Sequence, residues 1–135
     1  MAPDNGQKFI TEYLFASDGE KPGRVLDTCR VGEVFVTRMI MNPYVVTGNL
    51  YRKETNAILF VTKGKVRFSF VQVNTDERKE IVLEPHERII HWPPFVACAS
   101  KNLLNEESVV YFFSNKAFRS DDDYSYEVIP ASNTP

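Results

Sequence analysis

The chain has 135 residues, 43% hydrophobic and 25% charged, with a net charge of −2. That length suits one domain burying roughly two thirds of its unfolded surface, and the charge balance leaves no basic footprint for nucleic acid. No apolar run approaches the roughly 18 residues of a membrane span.

Residues 1–7 are polar and, with 129–135, are expected to form flexible tails. They lack the charged and apolar regions of a secretory leader. Residues 9–15 form a short apolar-rich segment that reads as a strand, and Ser17-Asp18-Gly19-Glu20-Lys21-Pro22-Gly23 reads as a surface loop. Cys29 and Cys98 show no metal or redox spacing, so free thiols and a cytoplasmic location are expected. Residues 34–41 are an apolar-rich strand candidate, which Asn42-Pro43 ends. Strands follow at 45–52, 57–62 and 65–73. Ala57 to Val61 is a continuous apolar run, which suits a strand covered on both faces. Lys63-Gly64-Lys65 is a tight turn, and Val66-Arg67-Phe68-Ser69-Phe70 alternates apolar with polar, so the two flanking strands must be antiparallel neighbours. Residues 74–78 form a polar hairpin loop and 79–83 the return strand. Further strands are expected at 88–92, before Pro93-Pro94, at 95–99 and at 108–113. With no sustained 3.6-residue period, this spacing of short strands points to an all-β sandwich or barrel of the jelly-roll kind.

The segments Gly48–Gly64 and Glu84–Asn102 resemble the two sequence motifs of a single-domain cupin, and the stretch Phe112–Val128 resembles the ending of sugar-nucleotide epimerase-like and ketoisomerase-like cupins. The resemblance implies a cupin-type jelly-roll β-barrel, or double-stranded β-helix. In metal-binding cupins the first motif supplies two histidines and a glutamate, and the second a third histidine. Those positions fall here on Leu50, Arg52, Ala57 and Cys98, while Asn102 matches the motif's asparagine and Phe95 replaces its usual glycine. Three of the four ligand positions cannot donate to a metal, so the resemblance implies no metal, no cofactor, and neither the dioxygenase-type nor the ketoisomerase-type mechanism.

The remaining candidates are weighed residue by residue. Arg52 shares a face with Leu50, the pocket face in the family. An inward arginine requires an anion, either a neighbour such as Glu54 or Glu107 or a ligand carboxylate or phosphate. His91 precedes Trp92 in a strand and is either an acid–base group facing the barrel interior or a structural histidine, whereas His86 sits in an exposed turn. Cys98 is a core thiol or a nucleophile. Tyr44, Tyr51, Trp92 and Phe95 are placed near the barrel mouth as platforms for a sugar or planar ligand, or as core filling. Asp121-Asp122-Asp123 reads as a solvated tail without calcium-loop spacing. Three functions stay open: a metal-free cupin binding a small sugar-like or anionic ligand at these residues; an isomerase or epimerase working through His91, Tyr51 and Arg52; and a structural cupin that dimerises. A homodimer is expected, built on the apolar strand 34–41.

Overall fold

The computed structural model describes residues 9–118 and 121–130. Among them are eleven strands: β1 (Ala16–Lys21), β2 (Arg24–Val31), β3 (Val34–Met41), β4 (Val46–Tyr51), β5 (Ala57–Lys63), β6 (Val66–Gln72), β7 (Arg78–Leu83), β8 (Ile90–Trp92), β9 (Val96–Asn102), β10 (Ser108–Ser114) and β11 (Tyr124–Ser125). They form two antiparallel sheets. The larger has the order β1-β2-β3-β10-β5-β8 and the smaller the order β11-β4-β9-β6-β7. Strands of the two sheets alternate along the chain, so each sheet is filled by elements distant in sequence, which is the jelly-roll arrangement.

Period-two burial puts the core between the sheets. Leu26, Met39, Met41, Leu59, Val61, Val66, Phe68 and Val110 point inward and are buried. In β5, Ala57, Leu59 and Val61 are buried, but Ile58 and Phe60 lie half-buried on the outer side, so this strand is fully covered on one face only. The β5–β6 turn needs its glycine. Gly64 has φ +90°, and a Cβ there would collide with the Ser108 hydroxyl. Ser108 in turn accepts from the Lys65 amide at 3.2 Å and donates to Asn102 Oδ1 at 2.7 Å. Asn102 is fully buried, and its amide group also donates to the carbonyls of Met41, Asn42 and Glu106.

Several expectations change on contact with the structure. Residues 9–15 form no strand. The presumed loop at 17–23 is instead most of edge strand β1 and the hairpin turn into β2, with a bulge between Ser17 and Gly19. Irregular edge strands tolerate the turn-rich residues that hid it. Strand β3 lies between β2 and β10 and exposes no edge, so removal of a free edge cannot be the reason for dimerisation. Residues 1–7 and 131–135 lie outside the described residues. Ile129, expected in a flexible tail, is 7% exposed and packs with Val128 on Val71, Ala97 and Ala99. The small side chains of Ala97 and Ala99 leave room for this segment on the outer face of the smaller sheet.

Candidate functional site

Between the sheets lies a cavity of about 370 Å³, within the size range of small-molecule sites. Its apolar wall includes Leu26, Met39, Leu50 and Phe68, and Thr47 and Ser100 add hydroxyls. Among the described residues, three cationic side chains, Lys21, Arg24 and Arg52, line it, together with one carboxylate, Asp123.

A β-bulge in β4 sets the position of Arg52. Gly48 pairs with Ala99 and Leu50 with Cys98, so the extra residue Asn49 has no opposite number. Gly48 has φ +101°, and a Cβ on it would stand 2.9 Å from the Cys98 carbonyl oxygen. Only glycine lets β4 and β9 approach so closely. Beyond the bulge, Leu50 and Arg52 face the cavity and Tyr51 faces outward.

The Arg52 side chain is 6% exposed, and its Nε donates to Asp123 Oδ1 at 2.7 Å. The guanidinium carbon lies 4.1 Å from the ring centre of Phe118 and 4.9 Å from that of Trp92. One carboxylate and two ring faces offset part of the cost of burying the cation. Among the described residues its buried Nη1 has no hydrogen-bond partner. Neither Glu54 nor Glu107 is the partner the sequence suggested. Glu54 pairs with Lys116 at 2.7 Å, and Glu107 is exposed.

The acidic run at 121–123 is not a solvated tail. Asp122 is 4% exposed, and its carboxylate accepts from the amides of Lys53 and Glu54 at 3.1 and 3.0 Å and from the Thr55 hydroxyl at 2.8 Å. Burial alone would raise its pKa, but these hydrogen bonds together outweigh it and hold the carboxyl below its ordinary value. Asn49 secures the next stretch, accepting from the amides of Val128 and Ile129 and donating to the Ile129 carbonyl. These clips fix the segment that supplies Asp123 to the cavity. Because the folded-state pKa of Asp122 is depressed, its contribution is complete above the unfolded value near 4 and is lost as pH falls through the folded one. Asp122→Ala is expected to cost about 2–3 kcal/mol at pH 7. The difference from wild type should shrink at about pH 3. Urea unfolding at the two pH values measures both, and an equal difference at each would rule out the ionised carboxylate as the source.

Cys98 is 5% exposed at the cavity wall, and burial pushes its thiol well above the ordinary range, with nearby Arg52 acting in the opposite direction. At neutral pH it is a thiol, not a thiolate nucleophile. Trp92 also lines the cavity and donates its indole N–H to the Val96 carbonyl at 2.7 Å. Ala57 is buried in the core nearby but does not line the cavity.

The other candidates lie elsewhere. His91 is exposed on the outer side of β8, its Nε2 3.1 Å from Asn56 Oδ1, because the neighbouring Trp92 takes the inner face. Tyr51 stacks outside the barrel on Tyr124, with ring centres 5.4 Å apart, and Phe95 and Tyr126 complete the cluster. Tyr44 and Phe95 are 41% and 38% exposed at positive-φ turn positions, and His86 is exposed in a turn at φ +63°. Sequence reasoning missed Lys21, Arg24, Phe118 and Asp123. The first two lie at the missed β1–β2 hairpin, Asp123 in the misread acidic run, and Phe118 shortly before that run. Among the described residues, no three His, Cys, Asp or Glu side chains gather to hold a metal, and no helix is long and apolar enough to cross a membrane.

No family model and no curated protein matches the chain. Solved structures do. The cupin domain of CENP-C from Drosophila melanogaster superposes with a TM-score of 0.60 at 16% identity, covering 75% of this chain and 74% of that one. The chain has the cupin fold. The same barrel aligns with the capsular polysaccharide assembling protein CapF of Staphylococcus aureus, with a TM-score of 0.75 and 22% identity over 87% of this chain. The cupin described here corresponds to only 35% of CapF's length. Peruvianin-I from Thevetia peruviana latex, described as a cysteine peptidase, gives a TM-score of 0.68 at 15% identity, covering 84% of this chain and 74% of that one.

Proposed function

We propose that this cupin binds a small anionic ligand inside its barrel without the help of a metal ion. The observation that carries the reading is Arg52, a buried cation on the cavity wall whose Nη1 has no hydrogen-bond partner among the described residues while Asp123 occupies its Nε. An unsatisfied buried donor costs free energy that an entering carboxylate or phosphate oxygen recovers. Lys21 and Arg24 add positive charge to the same cavity, and Leu26, Met39, Leu50 and Phe68 give an apolar wall for the body of a ligand.

Binding is favoured over isomerisation because the described residues of the cavity offer no free general base. His91 and Tyr51 lie outside it, Cys98 is protonated, and Asp123 is engaged by Arg52. CapF is described as a capsular polysaccharide assembling protein, which makes acidic sugars the first compounds to test. Calorimetric titration with glucuronate, inorganic phosphate and neutral glucose separates the cases. An acidic compound is expected to bind, and Arg52→Met to weaken it roughly 10- to 100-fold, the worth of a charge-assisted hydrogen bond. Arg52→Lys should retain part of the affinity. Glucose binding as tightly as glucuronate, with no response to Arg52→Met, would sink the reading.

A further inference from the structure

Arg52 and Asp123 present two unused hydrogen-bonding positions on the cavity wall, and they are of opposite kind. Arg52 Nε donates to Asp123 Oδ1 at 2.7 Å, which leaves Nη1 as a buried donor without a partner among the described residues. Asp123 makes that one bond among the described residues, so its Oδ2 is an acceptor without a partner there. The Asp123 side chain is 31% exposed, against 6% for that of Arg52, so this oxygen is open to an incoming group. Asp122 next to it is different. Its carboxylate is taken up by Lys53, Glu54 and Thr55 and holds the backbone in place. Asp123 is thus delivered to the cavity wall by its neighbour, with one of its own oxygens unengaged.

An anion resting on Nη1 shares one guanidinium with Asp123, and two negative charges held so close repel each other. A hydroxyl on the atom beside the ligand's carboxylate removes the conflict. It donates to Asp123 Oδ2 while the carboxylate accepts from Nη1, so a contact between two anions becomes a hydrogen bond to a charged acceptor. An ammonium could make the same bond. Among the described residues, however, Lys21, Arg24 and Arg52 outnumber Asp123 on the wall, and a neutral donor suits that field better than a further cation.

We propose, resting on the reading of the cavity as an anion site, that it selects 2-hydroxy acids and that Asp123 is the residue that sets this specificity. Arg52 Nη1 takes the carboxylate, Asp123 Oδ2 takes the hydroxyl, and the remaining substituent lies on the apolar wall of Leu26, Met39, Leu50 and Phe68. Three different contacts at one carbon also distinguish its mirror images, so a chiral ligand binds in one hand. An acid that lacks the hydroxyl leaves Asp123 beside a second anion with no donor between them, and that penalty creates the preference.

Calorimetric titration of the full chain with the two enantiomers of mandelate, with phenylacetate and with phenylglycine is the test. Mandelate is phenylacetate with one hydroxyl added beside the carboxylate, so body and charge are matched. One enantiomer of mandelate is expected to bind about tenfold or more tightly than phenylacetate, the worth of a hydrogen bond to a charged group. Asp123→Ala removes a negative charge and should tighten both acids, so the ratio between them is the readout, and it should fall to within about twofold. Arg52→Met should weaken both. The Asp122 and Asn49 contacts still hold the segment in Asp123→Ala, and the preference of the wild type for one enantiomer requires no variant at all. Phenylacetate binding as tightly as both enantiomers, a preference that survives Asp123→Ala, or phenylglycine binding more tightly than mandelate would overturn the proposal. If the first of these holds while Arg52→Met still weakens every acid, the role of Asp123 falls and the anion site stands. If no acid binds, or none responds to Arg52→Met, both fall together.

Discussion

Asn102→Ala is expected to destabilise the protein by about 3–4 kcal/mol, near the upper end for a single substitution. The residue is fully buried and joins four places in the chain. Its amide group donates to Asn42 and Glu106 at 2.9 and 2.8 Å, and more weakly to Met41 at 3.3 Å. Its oxygen accepts from Leu104 N at 3.1 Å and Ser108 Oγ at 2.7 Å. Truncation strands several groups out of reach of water, each costing roughly 1–3 kcal/mol before relaxation. In a domain of this size the melting temperature should fall by about 10–15 °C. Asn102→Asp keeps the acceptor and loses the donors, so it should also be severe. Calorimetry gives both numbers, and a loss below about 1 kcal/mol for the alanine variant would remove Asn102 from the role assigned to it.

The triple variant Leu50→His, Arg52→His, Cys98→His is expected to acquire a divalent-metal site. All three side chains line one cavity, and Asp123 lines it too, freed from its ion pair by loss of the guanidinium. Three imidazoles and a carboxylate suit Zn, Ni, Fe and Mn. Without metal the variant should be less stable by a few kcal/mol, because polar groups at roughly 1–3 kcal/mol each enter an apolar wall. Zinc or nickel at a hundred times its dissociation constant should restore about 2.7 kcal/mol by binding the folded state alone. The melting temperature with and without metal reads the effect, and a double variant retaining Cys98 is the control. A folded triple variant whose melting temperature ignores metal would show that the three positions do not converge. Ala57→Glu is left out of the design because Ala57, the remaining ligand position of the motif, does not reach the cavity.

What was legible in the sequence was what alternation and turn chemistry encode locally. Strands β3 to β10 follow the apolar periodicity to within a few residues, the main difference being that β9 runs on to Asn102. The motif residues retained here, Gly64 and Asn102, prove to be architectural, since both meet at Ser108. Arg52 was placed inward from its alternation with Leu50, and it lines the cavity. Contacts across long sequence separations were not legible. Nothing local marks Asp122 and Asp123 as partners of residues 52–55, about seventy positions earlier, and an acidic triplet looks the same whether solvated or clipped. The hairpin at 16–31 was hidden because an edge strand with a bulge accepts glycine, aspartate and lysine. His91 was readable in principle: a large apolar Trp92 claims the inner face, and period two then sends its neighbour out.

The position of β10 has a consequence for how the chain comes into being. It is the last long strand, yet it lies at the middle of the larger sheet, between β3 and β5. During synthesis, β1–β2–β3 and β5–β8 therefore emerge as separate fragments with no hydrogen bonds between them until residue 114 has cleared the exit tunnel. Each fragment meanwhile presents to a nascent chain's surroundings an open strand edge that the finished protein never shows. Closure is then a single late event that joins both fragments, so the barrel has no stable half-built form, and its vulnerability to aggregation is concentrated in the interval before β10 arrives.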